Sequence, residues 1–220
     1  MARVGILGGS FNPVHTGHLR MAIEAREQLG LDRVELMPAG VPPHKTAEGM
    51  LPFAERLRLV ELAVADIPGL AANAMEGARP GPSFTCDTVQ CYRTERPADE
   101  PYLILGAGTF LELDHWRNGM DLPRHVHLVV ANRWDLRLEE VAEYVDRHWP
   151  DAERETDSYW KLPFGKDLHC IEIPRLDIKA SLLRARWRRR RSLACLAPPS
   201  VVDALEVGGP AYDDAWGGRE

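Results

Sequence analysis

The first eighteen residues constrain the fold most. The apolar run Val4–Leu7 ends abruptly at Gly8-Gly9. A short apolar run closed by glycine reads as a buried strand. From Gly17 to Leu29, apolar residues recur at Leu19, Ala22, Ile23, Ala25 and Leu29, near helical period, and Gly30 follows as a stop signal. Val34–Pro38 reads as a second strand. Strand, glycine-rich loop, helix and strand make a βαβ unit, whose right-handed crossover sets the two strands side by side and parallel.

The same alternation continues downstream. Strands are expected at Tyr102–Leu105, Val126–Ala131 and Leu168–Ile173, with at most a short one near Ala71–Met75. Helices are expected at Pro52–Ala65, at Ser83–Tyr92 behind a Ser/Thr-rich cap, and at Leu138–His148, Ile178–Arg188 and Pro199–Leu205. Residues 39–50 read as a polar loop and 150–167 as irregular. Residues 208–220 are glycine-rich and acidic and read as a loosely held tail on a single domain spanning 1–207. The fold class is α/β, a parallel sheet covered by helices on both faces. Ligands of such sheets sit beyond the carboxyl ends of the strands. The Gly8-Gly9 loop, Gly106 and Arg133 all fall at that edge.

Composition excludes several function classes. A chain of 220 residues with 45% hydrophobic residues can bury a substantial core, and a net charge of −6 argues against a general nucleic-acid binder. No apolar run is long enough to span a membrane, and the N-terminus lacks a signal-peptide pattern, so the expected compartment is the cytoplasm. Cys86, Cys91, Cys170 and Cys195 form no C-x-x-C pair and no zinc spacing, which fits reduced structural thiols. Arg184–Arg191 holds six arginines in eight positions; its helix-terminal place suits a solvated helix end.

The chemistry concentrates in Gly8-Gly9-Ser10-Phe11-Asn12-Pro13-Val14-His15-Thr16-Gly17-His18. Glycines let the backbone turn tightly and approach a phosphate. His15 and His18 lie at the helix entry, where free N–H groups carry a positive partial charge. Gly17 leaves room between them. Two imidazoles and a set of amides then face one spot suited to a polyphosphate. No Gly-Lys-Ser/Thr follows and G-x-G-x-x-G is absent, so this is neither a Walker loop nor a dinucleotide fingerprint.

The H-x-G-H signature behind G-G-S-F-x-P resembles the nucleotidylyltransferase superfamily. Met37-Pro38-Ala39-Gly40-Val41-Pro42-Pro43-His44-Lys45 is similar to a segment of bacterial nicotinate-nucleotide adenylyltransferases. Glu76–Thr88 resembles that family's E-x-x-R-x-G-x-S-Y-T-x-D-T segment, with Phe84 where Tyr is common. Leu111–Trp116 resembles its L-x-x-L-x-x-W stretch. The resemblance runs from about residue 3 to about 205. It implies a Rossmann-like domain that moves AMP from ATP onto nicotinic acid mononucleotide. Its substrates would then be ATP, accompanied by Mg²⁺, and that mononucleotide, with no dedicated metal site, no nucleic acid and no membrane; a homo-oligomer is compatible with the sequence.

The resemblance also implies roles. His15, His18, Lys45 and Arg184 would be the catalytic groups, with His18 on the transferring phosphoryl and Lys45 and Arg184 on the leaving pyrophosphate. Gly8, Gly9, Ser10, Phe11, Gly17, Gly106, Gly108, Ile178 and Ser181 would line the ATP site. Asn12, Pro43, His44, Phe84, Thr85, Trp116 and Arg133 would hold the mononucleotide, Trp116 by stacking on its pyridine ring.

Four further positions depart from the family pattern. Gly108 stands where the family has the Asp of G-x-D. Lys179 and Ala180 replace two residues of the late I-S-S-T-x-I-R motif, of which Ile178, Ser181 and Arg184 fit. Arg190 occupies the place of the family's helix-ending glycine. These departures keep two other readings open: an adenylyltransferase for nicotinamide mononucleotide or another phosphorylated acceptor, and a non-catalytic nucleotide- or RNA-binding relative.

Overall fold

A computed structural model describes residues 1–43, 48–132 and 138–219. The expected βαβ unit comprises β1 (Ala2–Gly9), α1 (Thr16–Leu29) and β2 (Arg33–Pro38). The strands pair in parallel, with Gly9 opposite Pro38. Next come α2 (Phe53–Val64), β3 (Leu70–Ala72) and α3 (Thr85–Glu95). Then β4 (Asp99–Gly106) leads into the short α4 (Ala107–Phe110), followed by β5 (His127–Asn132) and α5 (Leu138–His148). The remaining strands are β6 (Glu153–Thr156), β7 (Tyr159–Leu162) and β8 (Lys166–Glu172), before helices α6 (Ala180–Arg188), α7 (Pro199–Val207) and α8 (Pro210–Trp216).

The sheet order is β3-β2-β1-β4-β5-β8-β7-β6. Strands from β3 through β8 in that order are parallel. Side chains alternate between two cores, one on each face. Ile104 and Val129 point to a core with Leu19, Leu59, Leu183 and Leu205, from α1, α2, α6 and α7. Leu103 and Leu128 point to the opposite core with Val89, Phe110 and Val145, from α3, α4 and α5. Because both faces are covered, the central strands read as unbroken apolar runs. The strand order reverses at β1, which lies between β2 and β4. The crevice of such a sheet opens beyond the carboxyl ends flanking that reversal. Those ends carry Gly8-Gly9 and Gly106.

Four expectations are corrected. Residues 150–167 are not irregular: β6 and β7 form an antiparallel extension of the parallel sheet. Every residue of β6 is exposed, so it carries no apolar alternation, and only buried Trp160 and Leu162 mark β7. The charged edge strand also disfavours edge-to-edge pairing. The segment 208–220 is not a loose tail, because α8 buries Tyr212 and Trp216 in the core. The Trp216 ring meets Trp187 edge-on, with centroids 5.3 Å apart. The short strand begins at Leu70, and Met75–Ala78 forms a 3-10 turn instead. Finally, α3 starts after Phe84 with no side-chain cap.

Candidate active site

The glycine loop is built to hold one conformation. The Gly9 carbonyl accepts the Ala39 amide at 2.8 Å, joining the loops after β1 and β2. Phe11 has φ 44, in the left-handed region that bulky residues avoid. Its buried ring offsets that strain, and it lies edge-on to His18 with centroids 4.9 Å apart. A side chain at Gly9 would press on the Phe11 ring at 3.2 Å.

His15 is only 4% exposed and precedes α1, while His18 sits in its first turn. Their rings stack with centroids 3.6 Å apart. The His15 backbone N–H donates to His18 Nδ1 at 3.3 Å. Nδ1 is thus an acceptor, and a neutral His18 ring carries its proton on Nε2. The room ascribed to Gly17 is real, since a Cβ there would lie 3.1 Å from His15 Nδ1.

The late helix arrives at the same loop. Arg184 Nη1 donates to the Asn12 carbonyl at 2.8 Å. Burial lowers the Arg184 pKa from its usual value, and nearby Arg188 lowers it further. The Ile178 carbonyl would lie 3.6 Å from a Cβ on Gly17, so the start of the α6 segment borders the H-x-G-H turn. Ser181 is exposed at the head of α6. Arg184 and Arg188 line an open groove of about 820 Å³ together with Glu48, Gly49 and Asp214.

On the other side of the loop lies a pocket of about 330 Å³. Of the expected residues, Gly8, Gly9, Ser10, Pro43, Phe84, Thr85 and Trp116 line it. Gly106 and Gly108 stand at the neighbouring head of α4, whose Thr109 does line it. Asn12 does not: its side chain donates to the Gly49 carbonyl at 2.6 Å and accepts the Leu51 amide at 3.0 Å. It ties the loop to the chain entering α2 rather than facing the mononucleotide side. His44, Lys45 and Arg133 lie outside the described residues.

Residues beyond the expected set also build the site, and the most buried of them, Arg56, carries no motif-level signal. Arg56, 1% exposed, donates to the carbonyls of Leu51 at 3.0 Å, Ser10 at 2.9 Å and Gly40 at 3.1 Å. One buried guanidinium therefore fixes both site loops. Burial holds its pKa below the usual arginine value. Glu76 accepts from Thr88 Oγ1 at 2.7 Å and from the Gly40 amide at 3.2 Å, closing the pocket wall. Arg117 and Ser83 also line the pocket. A helix register disguises Arg56 as one more surface cation.

Among the described residues no group of three or more His, Cys, Asp or Glu side chains could hold a metal ion, and no helix is long and apolar enough to cross a membrane. The four cysteines are unpaired.

Comparison with known proteins agrees with this geometry. The cytidylyltransferase-like family matches residues 6–186. A probable nicotinate-nucleotide adenylyltransferase of Geobacter sulfurreducens is 46% identical over 205 residues, covering 90% of this chain and 93% of that protein. One from Pelobacter propionicus is 37% identical over 201 residues, with the same coverage. The solved structure of Plasmodium falciparum nicotinic acid mononucleotide adenylyltransferase complexed with APC superposes with a TM-score of 0.72 at 15% identity, over 97% of this chain and 98% of that one, a likeness of fold. The chain belongs to the cytidylyltransferase-like family and, within it, to the nicotinate-nucleotide adenylyltransferases.

Proposed function

We propose that this protein transfers the adenylyl group of ATP to nicotinic acid mononucleotide, yielding the deamido dinucleotide of NAD synthesis and pyrophosphate. The observation that carries the reading is the Arg184–Asn12 hydrogen bond of 2.8 Å. It joins the late helix to the H-x-G-H loop, with an aromatic pocket on the loop's other side. A phosphate-binding edge and a ring-binding pocket thus share one loop, as a reaction between a nucleotide and a ring-bearing phosphate requires.

The 5′-phosphate of the acceptor attacks the α-phosphorus in line, a P–O bond forms, and the bond to the β-phosphate oxygen breaks. The attacking oxygen is already anionic, so neither a side-chain nucleophile nor a general base is needed. Catalysis is then positioning and charge stabilisation. His18, with its proton on Nε2, donates to the transferring phosphoryl, and His15 packs it in place. Arg184 and the head of α6 take the leaving pyrophosphate, with Lys45 as a mobile point charge. Phe84 and Trp116 hold the pyridine ring. ATP enters as its Mg²⁺ complex, the ion held by phosphate oxygens and water. The free thiols support a reducing, cytoplasmic setting.

Pyrophosphate release from Mg²⁺-ATP with nicotinic acid mononucleotide, beside nicotinamide mononucleotide at equal concentration, tests the reading. Fast release with the nicotinate substrate supports it. Folded protein that releases none with either would overturn it. Release with nicotinamide mononucleotide alone would reassign the acceptor.

A further inference from the structure

Of the six arginines between Arg184 and Arg191, two, Arg184 and Arg188, line one open groove of about 820 Å³. Its other walls are α8 and the chain entering α2. Arg186, in the same last turn of α6, is spent elsewhere and donates to the Ser192 carbonyl at 2.8 Å. A place at the helix C-terminus accounts for the abundance of cations here, but not for two of them sharing this groove.

Arg184 and Arg188 are four apart, so they share a helix face and stand one turn, roughly 6 Å, apart along the axis. Like charges at that spacing repel and weaken a helix. Burial first, and then the charge of Arg188, lowers the pKa of Arg184 from its usual value. Glu48 and Asp214 line the same groove, yet neither pairs with either guanidinium. Two unneutralised cations on one face suit an anion that extends beyond a single phosphate. Its direction follows from Arg184, whose Nη1 donates to the Asn12 carbonyl at 2.8 Å and so marks the end nearest the H-x-G-H loop. Arg188 lies one turn further out. A row of phosphates that begins at His18 meets Arg184 next and Arg188 last.

We infer that Arg188 is a specificity-determining residue that binds the terminal phosphate of the nucleotide donor and so favours a triphosphate over a diphosphate. This rests on the proposed reaction. ATP and ADP differ only in that last phosphate. A guanidinium offers it a planar fork of N–H donors, with charge assistance on both sides. During transfer the same phosphate departs as the outer half of pyrophosphate, so Arg188 holds the far end of the leaving group while Arg184 holds the near end.

The test measures Kd for α,β-methylene ATP and for ADP by calorimetry in wild type, Arg188→Ala, Arg188→Lys and Arg188→Glu, with circular dichroism as the folding control. KM for ATP is followed in parallel. Arg188→Ala is expected to weaken the triphosphate at least ~10-fold, the scale of losing one charged hydrogen bond, and to raise KM for ATP alike. ADP binding should stay within about twofold, because its phosphates end at Arg184. Arg188→Lys should keep part of the preference, and Arg188→Glu should lower it further. Equal losses for both nucleotides, or no loss for either, in folded variants of an active enzyme overturn the Arg188 inference alone. Wild-type protein that releases no pyrophosphate with either mononucleotide overturns the reaction assignment, and this inference with it.

Discussion

The imidazole of His18 stacks on that of His15, with ring centroids 3.6 Å apart and planes 24° from parallel. Phe11 also meets the His18 ring edge-on, with centroids 4.9 Å apart. The ring cannot swing without displacing a neighbour, so its Nε2 donor is oriented before substrate binds. His18→Ala should lower turnover at least ~100-fold, the scale of losing one transition-state donor. The melting temperature should change little, since His18 is only half-buried. Near-normal turnover in folded variant protein would refute the role.

Gly17→Ala separates geometry from chemistry. Its Cβ would sit 3.1 to 3.2 Å from the His15 ring and push it against His18. Alanine is otherwise the better helix residue, which offsets part of the packing cost, so stability should change by no more than about 1 kcal/mol. Turnover should fall about 10-fold or more, because misplacing a catalytic group by a fraction of an ångström is costly. Steady-state kinetics with a parallel thermal melt reads both; unchanged kinetics would show that the stacked pair tolerates displacement.

Arg56 should matter more to the fold than any histidine. Arg56→Met removes the donors to three carbonyls while filling similar space. At roughly 1 kcal/mol or more per unpaired buried carbonyl, the loss should be about 3 kcal/mol. Arg56→Lys should fall between, because an ammonium cannot span the guanidinium's fork. Urea unfolding measures both. A loss below about 1 kcal/mol for Arg56→Met would mean that water replaces the guanidinium at those carbonyls.

What was legible in the sequence followed from periodicity and glycine. Val4–Leu7, Gly8-Gly9 and the helix behind them gave the βαβ unit, and the glycine loop gave the position of the proposed phosphate edge. Arg56 was not legible, because its role depends on carbonyls of Ser10 and Gly40, which no side-chain pattern reports. Asn12 was read toward the substrate because it sits in the motif, yet its amide is consumed by Gly49 and Leu51. The helix α8 was hidden by glycines and aspartates around only two anchoring rings, Tyr212 and Trp216. The β6–β7 extension was hidden because the edge strand is exposed throughout and three of its four residues are charged.

Arg190 has φ 49, a left-handed position that costs an L side chain about 1 kcal/mol relative to glycine. It closes α6, its amide donating to the Trp187 carbonyl at 3.1 Å. Arg190→Gly should raise stability by about 1 kcal/mol and the melting temperature by roughly 2–4 °C for a domain of this size. Arg190→Ala should not, because it keeps the Cβ. A destabilised glycine variant would mean that the Arg190 side chain contributes more than the strain costs.

Gly108 is exposed in the first turn of α4, and a Cβ there would meet nothing within 4 Å. The carboxylate that the family pattern has at this position would therefore fit without repacking. Gly108→Asp should leave the melting temperature equal or higher, since an acid suits a helix start. If this carboxylate contacts the nucleotide, KM for ATP should fall several-fold while kcat holds, on the order of one added hydrogen bond. An unchanged or raised KM would show that the loops of this chain have accommodated the glycine.

His127 and His169 make stability depend on pH. Both are largely shielded, and burial lowers the pKa of each below the ordinary 6.5; Lys166 adds to the effect at His127, and at His169 so do His127 and Arg3. Asp167 raises both and Glu100 raises His127, without reversing the direction. His127 Nδ1 accepts the Asp167 amide at 3.0 Å, leaving Nε2 3.1 Å from Glu100 Oε1 as the donor of a neutral ring stacked on Tyr102. Well above pH 6.5 both rings are neutral, folded or unfolded, and the contribution is constant. Below it the unfolded chain binds protons that the folded chain still refuses, so stability falls as pH drops through 6.5 toward the folded values. The urea midpoint should therefore be lower at pH 5.5 than at pH 7.5. In His127→Gln/His169→Gln protein, glutamine keeps a donor and an acceptor but cannot titrate, so the pH difference should shrink. A double variant that retains the full wild-type pH difference would place the acid sensitivity elsewhere.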